Sequence, residues 1–193
     1  MSPSTASVKQ PRKNLPTATC TAKAATSTKL PSSRPVARPR QYWLFKSEPD
    51  VFSIDDLATA PDQTTRWDGI RNYQARNLLR DQVKPGDGVF FYHSSCKTPG
   101  IAGTAEVCSQ AYPDPLQFDP ESPYFDGKSD PDSPRWFSVD LRLQTRFTDL
   151  IPVKTLKSEQ ALTDMVLFRQ GRLSIQPVTE EQWQCIIDVL ARR

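Results

Sequence analysis

The chain has 193 residues, with 25 Lys and Arg against 22 Asp and Glu and a single His. That length sets an expectation of one domain plus a tail, and the absence of any apolar run near the ~20 residues needed to cross a bilayer argues against a membrane span. The charge is divided: residues 1–40 carry 8 basic residues and no acid, leaving 17 basic residues against 22 acids in the remainder, so the folded part is not a basic clamp for nucleic acid and bulk phosphate attraction falls to the tail.

The tail, residues 1–40, is rich in Pro, Ser, Thr, Ala, Lys and Arg and holds no aromatic residue. It cannot bury enough apolar surface to offset chain entropy, so a disordered segment is expected there, followed by a domain over 41–193. Arg12-Lys13 and the spaced Arg34, Arg38 and Arg40 suit nuclear import or nonspecific nucleic-acid contact. A Ser- and Arg-containing stretch without acids also suits a transit peptide, although its six prolines would interrupt an amphipathic helix. The expected location is the nucleus, with mitochondrion or cytoplasm as alternatives.

Tyr42-Trp43-Leu44-Phe45 predicts a buried strand that ends at Lys46-Ser47-Glu48-Pro49. Ser53, followed by Asp55 and Asp56, predicts the cap of a short helix. Trp67-Asp68-Gly69 reads as a turn whose Asp68 caps a helix over 72–80, with Tyr73, Leu78 and Leu79 inward. After the Lys84–Asp87 turn, Gly88–His93 and Ile101–Val107 read as strands. Residues 113–134 hold six prolines and six acids, which predicts a loop, with Tyr124 and Phe125 as its anchors. From Arg135 to Leu143 apolar and polar residues alternate as in a strand. Pro152 then suits the first position of a helix. Leu173–Ile175 is a short strand, and Thr179-Glu180-Glu181-Gln182 is a capping box before an amphipathic helix. Strands and helices do not alternate, so the fold class is α+β: a curved, mostly antiparallel, barrel-like sheet with flanking helices.

Cys20, Cys96, Cys108 and Cys185 have no C-x-x-C spacing, which fits a reducing compartment, and Cys108 and Cys185 are expected as small buried side chains. No metal-ligand cluster surrounds His93 and no glycine-rich phosphate loop occurs, so neither metal nor cofactor is expected.

The densest chemical signal is Thr65–Asn77, which places Trp67, Tyr73, Asp68, Asn72, Asn77, Gln74 and three Arg within 13 residues. Rings and amides together suit a planar polar ligand, since rings stack and amides read hydrogen-bonding edges. Trp67 has two readings, a stacking wall for a base or a structural cover. Asn72 either pairs with a base edge or caps the helix. Arg71 and Arg76 contact phosphate or pair with Asp68 and Asp81. Lys46 and Ser47, at a strand end, are pocket or solvated residues, and Glu48 either accepts from a ligand amine or holds Lys46. Tyr92, His93 and Ser94 line a pocket or are structural. His93 with Ser94 or Cys96 could instead serve a small hydrolase or nucleotide-processing enzyme, but the sequence identifies no third, orienting group.

Five segments, Tyr42–Pro49, Trp67–Asn77, Phe91–Ser94, Pro99–Gly103 and Arg172–Pro177, resemble the signatures of the EVE domain, in order and across the whole folded part. The resemblance implies a PUA-like fold and kinship with readers that take a flipped, modified base into a pocket. It also implies a non-catalytic role and a nucleic-acid partner carrying a modified base, DNA rather than RNA. Modified cytosine, including 5-hydroxymethylcytosine, is the expected ligand, bound by a monomer. The nucleic-acid-binding residues expected on that basis are Trp43, Lys46, Ser47, Trp67, Arg71, Asn72, Gln74, Tyr92, His93 and Ser94.

Overall fold

The computed structural model describes residues 38–190, the side chains of 189 and 190 excepted. The expectations for the tail up to residue 37 lie outside the described residues. Among the described residues, seven strands form one sheet: β1 (Tyr42–Ser47), β2 (Thr64–Trp67), β3 (Gly88–His93), β4 (Gly100–Val107), β5 (Tyr112–Pro113), β6 (Phe137–Pro152) and β7 (Ile175–Val178). Their order is β2-β6-β4-β3-β1-β7, with β5 on β6. All pairs are antiparallel except β1 with β3. The fold is the expected α+β sheet with flanking helices, but its path is open rather than a closed barrel, with β2 and β7 as edges.

Alternate side chains of a strand go to opposite faces, and β1 and β3 carry apolar residues on both. Trp43, Phe45, Val89 and Phe91 join one cluster with Ile54 and Leu57 of α1 (Ile54–Thr59) and Ala75 of α2 (Tyr73–Asn77). Leu44, Phe90 and Tyr92 join the other, with α3 (Val153–Ser158), α4 (Val166–Arg169) and α5 (Glu180–Cys185). A central parallel pair covered on both sides explains why Tyr42–Phe45 is a continuous apolar run rather than an alternating one.

Both expected caps form: Thr179 with Gln182 is the capping box read at α5, and Ser53 caps α1 in a further box with Asp56. Several local expectations change. The strand expected at Leu173–Ile175 instead runs Ile175–Val178. The cap of α2 is Asn72, whose side chain accepts from Ala75 N, not Asp68. Pro152 closes β6 and precedes α3 instead of opening it. Tyr73 points outward. Cys108, just past the end of β4, is exposed, and Cys185 is half-buried.

Candidate nucleic-acid interface

The parallel pairing of β1 and β3 brings their C-terminal ends side by side, Lys46 opposite Tyr92 and Ser47 opposite His93. Alternation then splits these four residues. Ser47 and His93 follow Phe45 and Phe91 on the face covered by α1, whereas Lys46 lies against the Tyr92 ring, 5.6 Å from its centroid. The expected site residues at the strand ends are therefore neighbours, but they flank the sheet instead of lining one wall.

His93 Nε2 accepts the backbone N–H of Ile54, the first residue of α1, at 3.1 Å. Accepting through Nε2 requires a neutral ring with its proton on Nδ1. Burial lowers the His93 pKa below its ordinary value, with Asp55 and Asp56 partly opposing the shift. Ser47 Oγ donates to Phe52 O at 2.6 Å, and Ser94 Oγ donates to Ser47 O at 3.2 Å. His93 and Ser94 thus share no hydrogen bond, and the arrangement does not activate the serine as a nucleophile. The Cys96 thiol is half-buried.

Lys46 Nζ donates to Gly171 O at 2.8 Å, and its backbone N–H donates to Ser174 O. Burial lowers its pKa, as expected for an ammonium that loses water. An ammonium carries three donors, so this bond leaves two for a ligand. The turn that receives Lys46 is held from below by Gln176, whose amide donates to Gln170 O and Leu173 O.

The two expected tryptophans are core residues. Trp43 is 1% exposed and donates its indole N–H to Asp87, 2.9 Å away. A ring that buried has no surface to offer a base, and its polar atom is spent on fixing the start of β1 to the turn before β3. Trp67 is 7% exposed, with its ring against Phe45 (5.5 Å) and edge-on to Phe91 (5.4 Å). It ends β2, a strand that the polar composition of Thr64–Arg66 concealed, and the pleat turns its ring inward. Tyr92 is likewise buried in the second cluster.

Arg71 and Arg76 form a different structure. Arg71 Nη1 pairs with Asp114, fully buried, at 2.7 Å, while Nε and Nη2 both donate to Tyr124 O. The guanidinium lies 5.3 Å from the rings of both Tyr124 and Trp136. Asp114 also accepts from Gly69 N and Leu116 N. Gly69 adopts φ +75° with the Tyr124 ring against it, leaving no room for a Cβ. Arg76 Nη1 donates to Arg135 O. The acidic, proline-rich loop is thereby fastened to Gly69–Arg76 by Arg71, which acts as a tether. Tyr124 anchors the loop as expected, while Phe125 stays exposed. Of the remaining expected residues, Asn72 is exposed at its cap and Gln74 is exposed with its amide 3.1 Å from that of Gln170. Asp114, Trp136 and the outward Tyr73 were not among the expected residues. Only the tertiary pairing of loop and helix brings them together.

A mixed, mostly antiparallel sheet with flanking helices is the class of fold that the EVE resemblance implies. The chain belongs to the EVE domain family, whose match covers residues 41–189. It is 46% identical over 165 residues to human Thymocyte nuclear protein 1, covering 77% of this chain and 73% of the human one. To the Uncharacterized protein C21.03c of Schizosaccharomyces pombe it is 36% identical over 163 residues, covering 78% and 68%. Among solved structures, the human THYN1 protein in complex with 5-methylcytosine containing DNA superimposes with a TM-score of 0.75 at 44% identity, over 79% of this chain and 98% of that one. A hypothetical protein from Leishmania major gives 0.73 at 46% identity, over 77% and 93%.

Proposed function

We propose that the protein is a non-catalytic reader of modified cytosine in DNA, acting in the nucleus as a monomer. The observation that carries this reading is the likeness, at 44% identity over 98% of the solved chain, to a human protein solved with 5-methylcytosine containing DNA. The strand-end cluster suits such a ligand. Lys46 offers ammonium donors for a phosphate or a base carbonyl, and the half-buried Ser47, His93 and Ser94 offer polar edges beside the Trp67–Phe91 core. Asn72 and Gln74 supply exposed amides on α2. The His93–Ile54 bond supports binding over hydrolysis, because it occupies the nitrogen that a general base would need.

In this reading the modified base leaves the stack, at a cost of a few kcal/mol that pocket contacts offset. The basic segment 1–40 supplies attraction without sequence or modification preference. The test is titration of the full chain with fluorescent duplexes differing only at one cytosine (unmodified, 5-methyl or 5-hydroxymethyl), at fixed salt, with RNA of the same sequence as a further arm. Tighter binding to a modified DNA duplex is expected; equal affinity for all duplexes overturns the proposal. Recovered strands should keep their mass. A mass change that disappears in His93→Ala would establish the enzymatic alternative instead.

A further inference from the structure

Tyr73 is 55% exposed, the most exposed large hydrophobic residue among those described. Its ring is nevertheless held: Trp136 lies 5.0 Å from it at an interplanar angle of 32°, and the Arg76 guanidinium lies 4.9 Å from its centroid. Arg76 is also 5.9 Å from the Trp136 ring. Those three distances close a compact triangle, so Trp136 and Arg76 do not sandwich Tyr73 from opposite faces. The 55% exposure is consistent with an open face.

Arg76 is itself fixed, through Nε to Asn77 Oδ1 (2.9 Å) and Nη1 to Arg135 O (3.0 Å), and both acceptors are neutral. Arg76 is half-buried beside the ring, and its charge also acts on Asp81. The exposed residues beside Tyr73 on α2 and its cap are Asn72, Gln74 and Asn77, and the Asp126 carboxylate accepts from the indole of Trp136. A single braced ring among amides, next to a guanidinium, fits a nucleobase and its phosphate better than a protein partner, which would call for more apolar surface around the ring. The surface is also continuous with the strand-end cluster: Gln74 is bonded to Gln170, and the adjacent Gly171 carbonyl receives Lys46.

We infer that Tyr73 is a stacking platform for a nucleotide flanking the modified base, with Arg76 as the contact to that nucleotide's phosphate. The inference rests on the DNA-reader proposal. Because the ring and guanidinium are pre-set by Trp136, Asn77 and Arg135, little ordering remains when a base arrives.

The test uses the full chain and a duplex with one 5-methylcytosine and 2-aminopurine as the adjacent base. Wild type should quench the 2-aminopurine on binding. Tyr73→Ala should bind about 10-fold more weakly, within the range for loss of one stacked base, and should not quench. Tyr73→Trp should stay within about threefold of wild type and restore quenching. Arg76→Gln should weaken binding and flatten its salt dependence. The melting temperature of Tyr73→Ala, followed alongside, should stay near wild type because the side chain is mostly exposed. If wild type binds the methylated duplex and Tyr73→Ala binds it equally with the same quenching, the platform is refuted and the reader proposal stands. If wild type fails to bind, both are refuted.

Discussion

Replacing Trp67 by Ala separates a core residue from a stacking wall. The ring is 7% exposed and touches Phe45 and Phe91. Truncating such a side chain removes its transfer free energy and leaves a cavity, at a cost of about 3–5 kcal/mol. The two aromatic contacts, each worth about 0.5–1.5 kcal/mol, fall within that figure. Against a total stability of about 5–15 kcal/mol for a domain, the loss is large. With a urea slope of about 2 kcal/mol/M, the unfolding midpoint of the full chain should fall by roughly 2 M. Circular dichroism is the appropriate probe, since the substitution removes one of four tryptophan fluorophores. Trp67→Phe fills most of the volume and should cost about 1–2 kcal/mol. A loss below about 1 kcal/mol for the Ala variant, accompanied by loss of DNA binding, would refute the core assignment and restore Trp67 as a ligand-facing wall.

Asp114→Ala should destabilise by about 3–5 kcal/mol, because it strands the Arg71 guanidinium and two backbone N–H groups. Hydrogen exchange should rise across 113–134, and unchanged protection there would contradict the tether. Gly69→Ala forces an L side chain into φ +75° and against the Tyr124 ring, so proteolysis should cut the same loop faster and the melting point should drop. His93 gives a pH signature. Its folded pKa lies below the ordinary 6.5, so its contribution to stability is complete above that value and is lost as pH falls from 6.5 through the folded pKa. Melting points between pH 7.5 and 5 should fall for wild type and stay flatter for His93→Asn; parallel curves would show that His93 does not drive the dependence.

The sequence by itself determined the elements whose signals are local. The Ser53 cap, the Thr179 capping box, the Lys84–Asp87 turn and the apolar runs of β1 and β3 each depend on residues within a few positions, and each formed as read. The five EVE-like segments likewise carried the family. The tertiary structure decided which face each chemical group occupies. β2 looks polar because it is a short edge strand, half-buried along Thr64–Arg66, so nothing local announced that Trp67 turns inward. Lys46 and Ser47 are adjacent in sequence yet lie on opposite faces, a consequence of the pleat. Arg71 is 43 residues from its partner Asp114 and Tyr73 is 63 from Trp136, separations over which charge and aromaticity specify no partner. Composition could say that Thr65–Asn77 was built for rings and guanidinium groups. Only the docking of the acidic loop fixed that Arg71 faces the protein and Tyr73 faces out, because the buried Asp114 carboxylate pairs with Arg71 and Trp136, just past the loop, packs against the Tyr73 ring.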